Sequence, residues 1–172
     1  MKTVLLGYMA SGKSTIGKIL ATEVGVPFID LDHYIEAQEN KTVTEIFNEK
    51  GEIYFRLQEH KYLKELLNSK DSFILSLGGG TPCYANNMDL LNSSENTISF
   101  YLKATIKTLV DRLNNQQDQR PLVANLSPNE LKEFIAKHLF ERSFYYEQAA
   151  HNIYIDEKEI ATIVSDIRFF LA

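Results

Sequence analysis

The sequence predicts an α/β domain organised around a parallel sheet. Short, β-favouring apolar runs alternate with helical periodicity from one end of the chain to the other. The runs are apolar on both sides, as strands are when helices cover both faces of a sheet. The length, 172 residues, is that of one ordinary domain.

Five runs read as strands, over residues 3–6, 27–30, 72–77, 97–102 and 152–155. Between them Ile16, Ile19 and Leu20 recur at helical spacing, as do Ile106, Leu109, Val110 and Leu113, and later Ile160, Ile163, Val164, Ile167 and Leu171. Each stripe reads as a core-facing helix face. Residues 40–68 carry helical periodicity twice with no strand between: Val43, Ile46 and Phe47, then Ile53, Leu57, Leu63, Leu66 and Leu67. That pattern suggests a helical insertion over one sheet edge. Ser127 and Glu130 around Pro128 form a capping box with proline in the first turn, which marks a helix start. The polar, amide-rich stretch 114–121 breaks the periodicity, and such an internal loop is a place for function.

Composition narrows the function classes. Apolar residues make up 44% and charged residues 24%, which excludes a disordered or low-complexity chain. Lys plus Arg number 18 against 23 Asp plus Glu, a net charge of −5, which argues against nucleic-acid binding by phosphate neutralisation. The single cysteine, Cys83, cannot form an internal disulfide, and a strand-like run starts directly after Met1 with no long apolar segment before it. No signal peptide or membrane span is expected, and the expected compartment is the cytoplasm.

The strongest chemical signal is Gly7-Tyr8-Met9-Ala10-Ser11-Gly12-Lys13-Ser14-Thr15, which fits G-x-x-x-x-G-K-[ST] at the first strand-to-helix junction. A polyphosphate needs a tight turn of inward N–H groups, a helix N-terminus, a long cation and a hydroxyl for magnesium. Gly7 and Gly12 permit the turn, Lys13 can reach the β- and γ-phosphates, and Ser14 can ligate the metal. A GTPase would carry N-K-x-D, yet Asn40-Lys41 is followed by Thr42-Val43.

Other candidates gather at strand ends, where open parallel sheets bind ligands. Asp30 and Asp32 end the second strand, and phosphoryl transfer needs both metal ligands and a group to orient or deprotonate the acceptor. In extended geometry the two would point to opposite sides, and one of them could instead cap the following helix. Gly78, Gly79 and Gly80 end the third strand and let another molecule approach the backbone; Ser76 sits where a hydroxyl could hold a metal-bound water. Arg56, Arg120 and Arg142 offer guanidinium forks for carboxylate or phosphate. Cys83 has no base near it in sequence, and His33, His60, His138 and His151 lack metal-ligand spacing, so these read as bystanders or structural groups.

Taken in order, these residues resemble the shikimate kinases, small P-loop enzymes of the nucleoside-monophosphate-kinase-like class. The resemblance rests on the phosphate loop, D-x-D at Asp30-Leu31-Asp32 and G-E-x-x-F-R at Gly51-Glu52-Ile53-Tyr54-Phe55-Arg56. It continues in S-L-G-G-G at Ser76 to Gly80, R-P-L at Arg120-Pro121-Leu122 and E-R-x-x-x-Y from Glu141 to Tyr146. It implies a single three-layer α/β/α domain over 1–172 with sheet order 2-3-1-4-5, a helical substrate-binding region at about 32–63 and a lid at about 114–124. It also implies transfer of the ATP γ-phosphoryl to the 3-hydroxyl of shikimate with Mg2+, by a monomer.

By the same resemblance Gly7, Ala10, Ser11, Gly12, Lys13, Ser14, Thr15, Arg112 and Arg120 bind ATP. Asp32, Arg56, Gly78, Gly79, Gly80 and Arg142 bind shikimate, with Asp32, Lys13 and Arg120 catalytic. Ser14, Asp30 (via water) and Ser76 (via water) form the magnesium environment. The sequence departs from the pattern at Ala10, where many relatives have glycine, and after the last strand, where 156–159 lacks the arginine some relatives use at adenine. A related acid-binding kinase such as gluconate kinase, and a nucleotide-binding domain without catalysis, are the alternatives; the second predicts erosion of Lys13, Asp32 or Arg120, and all three are present.

Overall fold

The computed structural model describes residues 1–115 and 123–171. Five parallel strands form one sheet: β1 (Lys2–Leu6), β2 (Phe28–Asp30), β3 (Phe73–Ser76), β4 (Thr97–Lys103) and β5 (His151–Tyr154). Their order is β2-β3-β1-β4-β5, as the family resemblance implies. Among the described residues seven helices surround the sheet: α1 (Lys13–Val24), α2 (Leu31–Glu39), α3 (Val43–Asn68), α4 (Asn87–Ser93), α5 (Ile106–Asn114), α6 (Pro128–Tyr146) and α7 (Ile160–Leu171). A 3-10 turn, Thr81–Cys83, follows β3.

The period-two alternation of strand side chains divides the core into two layers. Leu5, Ile74, Phe100 and Ile153 pack with Ile16 and Leu20 of α1 and Ile163, Val164 and Ile167 of α7. Val4, Leu6, Leu75 and Tyr101 face the other way, onto Leu63 and Leu67 of α3, Leu109 of α5 and Ile135 of α6. The edge strands are less covered than the sequence suggests: β2 is half-buried throughout and β5 exposes Asn152 and Tyr154, because each lacks a neighbour on one side. Helix α6 starts where expected, with the reciprocal Ser127–Glu130 capping box and Pro128 in its first turn. No helix among the described residues is long and apolar enough to cross a membrane.

Residues 43–68 do form helix, but Gly51 (φ 81°, ψ 172°) breaks it into two segments. That backbone resets the helical phase, so the apolar stripe does not run through. Phe55 enters the core, while Ile53 and Leu57, expected there, stand 80% and 58% exposed. Ile19 and Ile160 also lie at the outer margin of their stripes rather than in the core.

Candidate active site

The loop between β1 and α1 carries the phosphate-binding geometry. Gly12 caps α1 without a side-chain hydrogen bond, which leaves the first-turn N–H groups of the helix directed at an anion. Lys13 is buried, and its Nζ donates to the carbonyls of Gly7 and Tyr8, each at 2.9 Å. Arg112, from α5, donates through Nη1 to the carbonyl of Ala10 at 3.1 Å. Ser11 Oγ is buried with no hydrogen-bond partner among the described residues. Ala10 lies at φ 63°. Left-handed backbone costs an L-residue about 1–2 kcal/mol, and glycine avoids most of that at a smaller entropic cost. Ala10→Gly is therefore expected to raise the thermal unfolding midpoint by about 1–3 °C; an unchanged or lower midpoint in a calorimetric scan would remove the argument for strain.

The two aspartates do not point to opposite sides of a strand, because the chain enters α2 at Leu31, immediately after Asp30. Asp30 caps that helix with Oδ1, which accepts from the N–H groups of Asp32 (3.1 Å) and His33 (3.5 Å). Its other oxygen accepts from the Ser14 hydroxyl at 3.2 Å. One carboxylate thus serves both as helix cap and as partner of the Ser14 hydroxyl. Asp30 also pairs in register with Ser76 on β3. Two oxygen donors beside a phosphate loop suit Mg2+, which takes few protein ligands and completes its shell with phosphate and water. Among the described residues no cluster of three His, Cys, Asp or Glu side chains offers a competing metal site.

Asp32 lies in the first turn of α2, and its Oδ1 is buried without a hydrogen-bond partner among the described residues. Burial first, then the neighbouring charges of Glu59 and Asp30, raise its pKa from 3.8 to about 6, with Lys13 pulling the other way. Asp32, Lys13, Ser14, Ser76 and Gly79 share one cleft of about 590 Å³. Gly12, Ala10, Thr15, Gly78 and Arg112 line it as well.

The three glycines are explained by this chain's own side chains. A Cβ on Gly78 would stand 3.1 Å from Asp32 Oδ1, one on Gly79 3.4 Å from Arg142 Nη1, and one on Gly80 2.8 Å from both terminal nitrogens of Arg56. The turn therefore brings Asp32, Arg142 and Arg56 together around one backbone segment. Arg56 is held by Glu59, whose Oε2 accepts from Nη1 at 2.7 Å while Oε1 accepts from Thr81 Oγ1 at 2.6 Å. The Arg56 guanidinium also lies over the Tyr84 ring, 4.3 Å from its centroid.

Glu59, only 1% exposed, is the site residue that sequence reasoning missed. Its one available signal was position: Arg56 and Glu59 are three apart on a helix, and so share a face. Burial pushes the Cys83 thiol up to about 11, which disfavours the reactive thiolate. Arg120 and most of the lid, 116–122, lie outside the described residues.

A family model described as shikimate kinase matches residues 9–172. A shikimate kinase of Flavobacterium psychrophilum is 55% identical over 170 residues, covering 99% of this chain and 98% of that protein. Among solved structures, a shikimate kinase from Bacteroides thetaiotaomicron superposes with a TM-score of 0.91 at 36% identity, covering 99% of this chain and 98% of the other. One from Acinetobacter baumannii, solved in complex with shikimate, superposes with a TM-score of 0.85 at 29% identity, covering 99% of this chain and 92% of the other.

Proposed function

The chain belongs to the shikimate kinase family, and from that premise we propose how its residues divide the transfer of the ATP γ-phosphoryl to the shikimate 3-hydroxyl. The observation that carries the assignment is Asp32 Oδ1, buried and, among the described residues, without a hydrogen-bond partner in a cleft shared with the phosphate loop. An orphaned buried acceptor is costly unless a ligand donor completes it, and an alcohol hydroxyl is such a donor.

Asp32 orients the acceptor hydroxyl and takes its proton as the oxygen attacks phosphorus. Lys13 and the N–H groups at the start of α1 hold the β- and γ-phosphates and receive the charge that develops on them. Ser14 directly, with Asp30 and Ser76 through water, would hold Mg2+, which when bound neutralises phosphate charge. Arg56, braced by Glu59, and Arg142 grip the shikimate carboxylate, a contact that suits planar guanidinium forks. Arg112 flanks the nucleotide beyond the loop, and Arg120 covers the transferred phosphoryl. The lid at about 114–124 and the helical region at about 32–63 belong to this single domain, which works as a monomer in the cytoplasm. A coupled ADP-release assay with shikimate, with gluconate and without acceptor tests the reading. Turnover only with shikimate is expected; turnover with gluconate, or independent of acceptor, would overturn it.

Two narrower results follow. Gly80→Ala places a methyl group against the Arg56 guanidinium, which can swing away without disturbing the backbone. The shikimate KM should rise about tenfold, the loss of one charge-assisted contact, with ATP KM unchanged. Equal effects on both substrates in steady-state kinetics would place Arg56 elsewhere. The free enzyme should also lose kcat/KM for shikimate on the acid side. Asp32 with a pKa of about 6 gains a proton as pH falls through that value, and a protonated carboxyl cannot accept another. A profile that stays level down to pH 5 would exclude Asp32 as base.

A further inference from the structure

Helix α6 lays one stripe of side chains, Phe134, His138, Arg142 and Tyr146, along the phosphate loop and the glycine turn; the four are spaced four residues apart and so share a face. Tyr146 donates its hydroxyl to the Gly79 carbonyl at 2.5 Å. Arg142 sits beside Gly79 and over Tyr8, its guanidinium 5.8 Å from the ring centroid. One turn earlier, His138 Nδ1 lies 2.9 Å from the Tyr8 hydroxyl, and its ring packs on Phe134 at 4.3 Å.

Tyr8 is the second residue of the phosphate loop and is 1% exposed. Its carbonyl accepts from Lys13 while its hydroxyl reaches α6. One residue therefore connects the cation of the nucleotide site to the helix that carries Arg142. Packing alone would not ask for these two groups. Phenylalanine would fill the same space without a buried hydroxyl that has to be satisfied, and a leucine would meet Phe134 as well as an imidazole does. Burial pushes the Tyr8 hydroxyl up to about 12, so it stays a donor. Burial, then Arg142, holds His138 below its ordinary value, so the neutral ring offers an acceptor.

We propose that His138 is a positioning residue: by binding the Tyr8 hydroxyl it ties α6 to the phosphate loop and sets the reach of Arg142 toward the acceptor's carboxylate. The proposal rests on Arg142 gripping that carboxylate, as argued above. Because Tyr8 belongs to the nucleotide loop and Arg142 to the acceptor site, the bond also makes acceptor affinity depend on how the loop is seated.

The test uses calorimetric titration of shikimate with ADP and Mg2+ present, titration of ADP alone, and melting temperature. The variants are Tyr8→Phe, His138→Leu, their double, His138→Asn and, as reference, Arg142→Ala. Tyr8→Phe keeps the ring, so the fold has no reason to fail. Tyr8→Phe and His138→Leu are each expected to raise the shikimate Kd roughly five- to tenfold, with ADP Kd changed less than about twofold. The double variant should be no worse than the worse single, as expected of two partners in one interaction. His138→Asn, whose amide oxygen can stand where Nδ1 stood, should recover most of the affinity. Unchanged shikimate Kd in both single variants, additive losses in the double, or equal weakening of shikimate and ADP together with a lower melting temperature would overturn the proposal. Arg142→Ala separates the two levels. If it weakens shikimate while Tyr8→Phe does not, the latch fails and the carboxylate reading stands. If it leaves shikimate affinity intact, the carboxylate reading fails and the latch with it.

Discussion

Lys13→Ala is expected to lower phosphoryl transfer by at least about 10²–10³-fold, the loss that follows removal of one preorganised charge-stabilising donor. The ammonium already lies inside the loop, held by the Gly7 and Tyr8 carbonyls, so little reorganisation separates it from a bound polyphosphate. A dissociative transfer asks little covalent chemistry of the protein, and a fixed charge at the β- and γ-phosphates is a large part of what remains. The substitution acts a second time through Asp32. Lys13 is the group that opposes the upward push on that carboxyl, so its loss moves Asp32 further toward the protonated form at neutral pH. Turnover should therefore be recovered in part by raising the pH, which simple loss of phosphate binding would not produce. A folded Lys13→Ala protein, checked by circular dichroism, with turnover within a few-fold of wild type would refute the assignment of the loop.

The fold was legible because its signals are local. The central strands carry largely apolar runs and alternate with helical stripes, and the G-x-x-x-x-G-K-S pattern marks β1, the turn and α1 together. The candidate site was legible where its chemistry asks for a residue type: Lys13, Ser14, Asp30, Asp32 and Arg112 line one cleft, and Arg56 and Arg142 stand beside the glycine turn. What stayed hidden depends on backbone geometry or on partners distant in sequence. Gly51 could be read as a glycine, but not as a residue at φ 81° that turns Ile53 and Leu57 outward. Nothing in the sequence sets Glu59 apart from the other acids of its helix, and it becomes a buried brace for its helix neighbour Arg56 only when the turn after β3 brings Thr81 against it. His138 lies 130 residues from Tyr8, a pairing that no spacing rule contains.

The same distinction explains the glycine run. From sequence, three glycines promised room for a ligand; in the fold that room is taken by Asp32, Arg142 and Arg56, one beside each glycine. The strand ends supply the rest of the arrangement. β1, β2 and β3 are adjacent in the sheet, so the phosphate loop, the aspartates and the glycine turn emerge side by side from their carboxyl ends.

Asp32→Asn is expected to abolish most turnover while stabilising the protein. The activity side follows from proton acceptance: an amide can still hydrogen-bond the acceptor hydroxyl but cannot take its proton, and general-base help is worth roughly 10²–10⁴-fold. A largely dissociative transition state would need only an oriented hydroxyl and would leave a smaller loss, so the size of the effect reports on the mechanism. The stability side follows from the sign of the pKa change. Asp32 binds its proton more tightly folded (about 6) than unfolded (3.8), so the stability linked to that proton is fully present below about pH 4 and lost as pH rises through 6. At neutral pH the ionised carboxylate is a standing cost, borne beside Glu59 and Asp30, and a neutral amide removes it, by an amount on the order of 1–3 kcal/mol. Nucleotide affinity should stay near normal, since Asp30, Ser14 and Lys13 are untouched. Steady-state kinetics, calorimetric ATP titration and denaturant unfolding at pH 7 and pH 4 together decide it. Asp32 as the strained base requires lost turnover, preserved ATP binding, and a stability gain at pH 7 that shrinks at pH 4. Near-normal turnover would return it to the role of a helix-terminal acid, and a loss of stability at pH 7 would mean that its buried oxygen is better satisfied than the geometry allows.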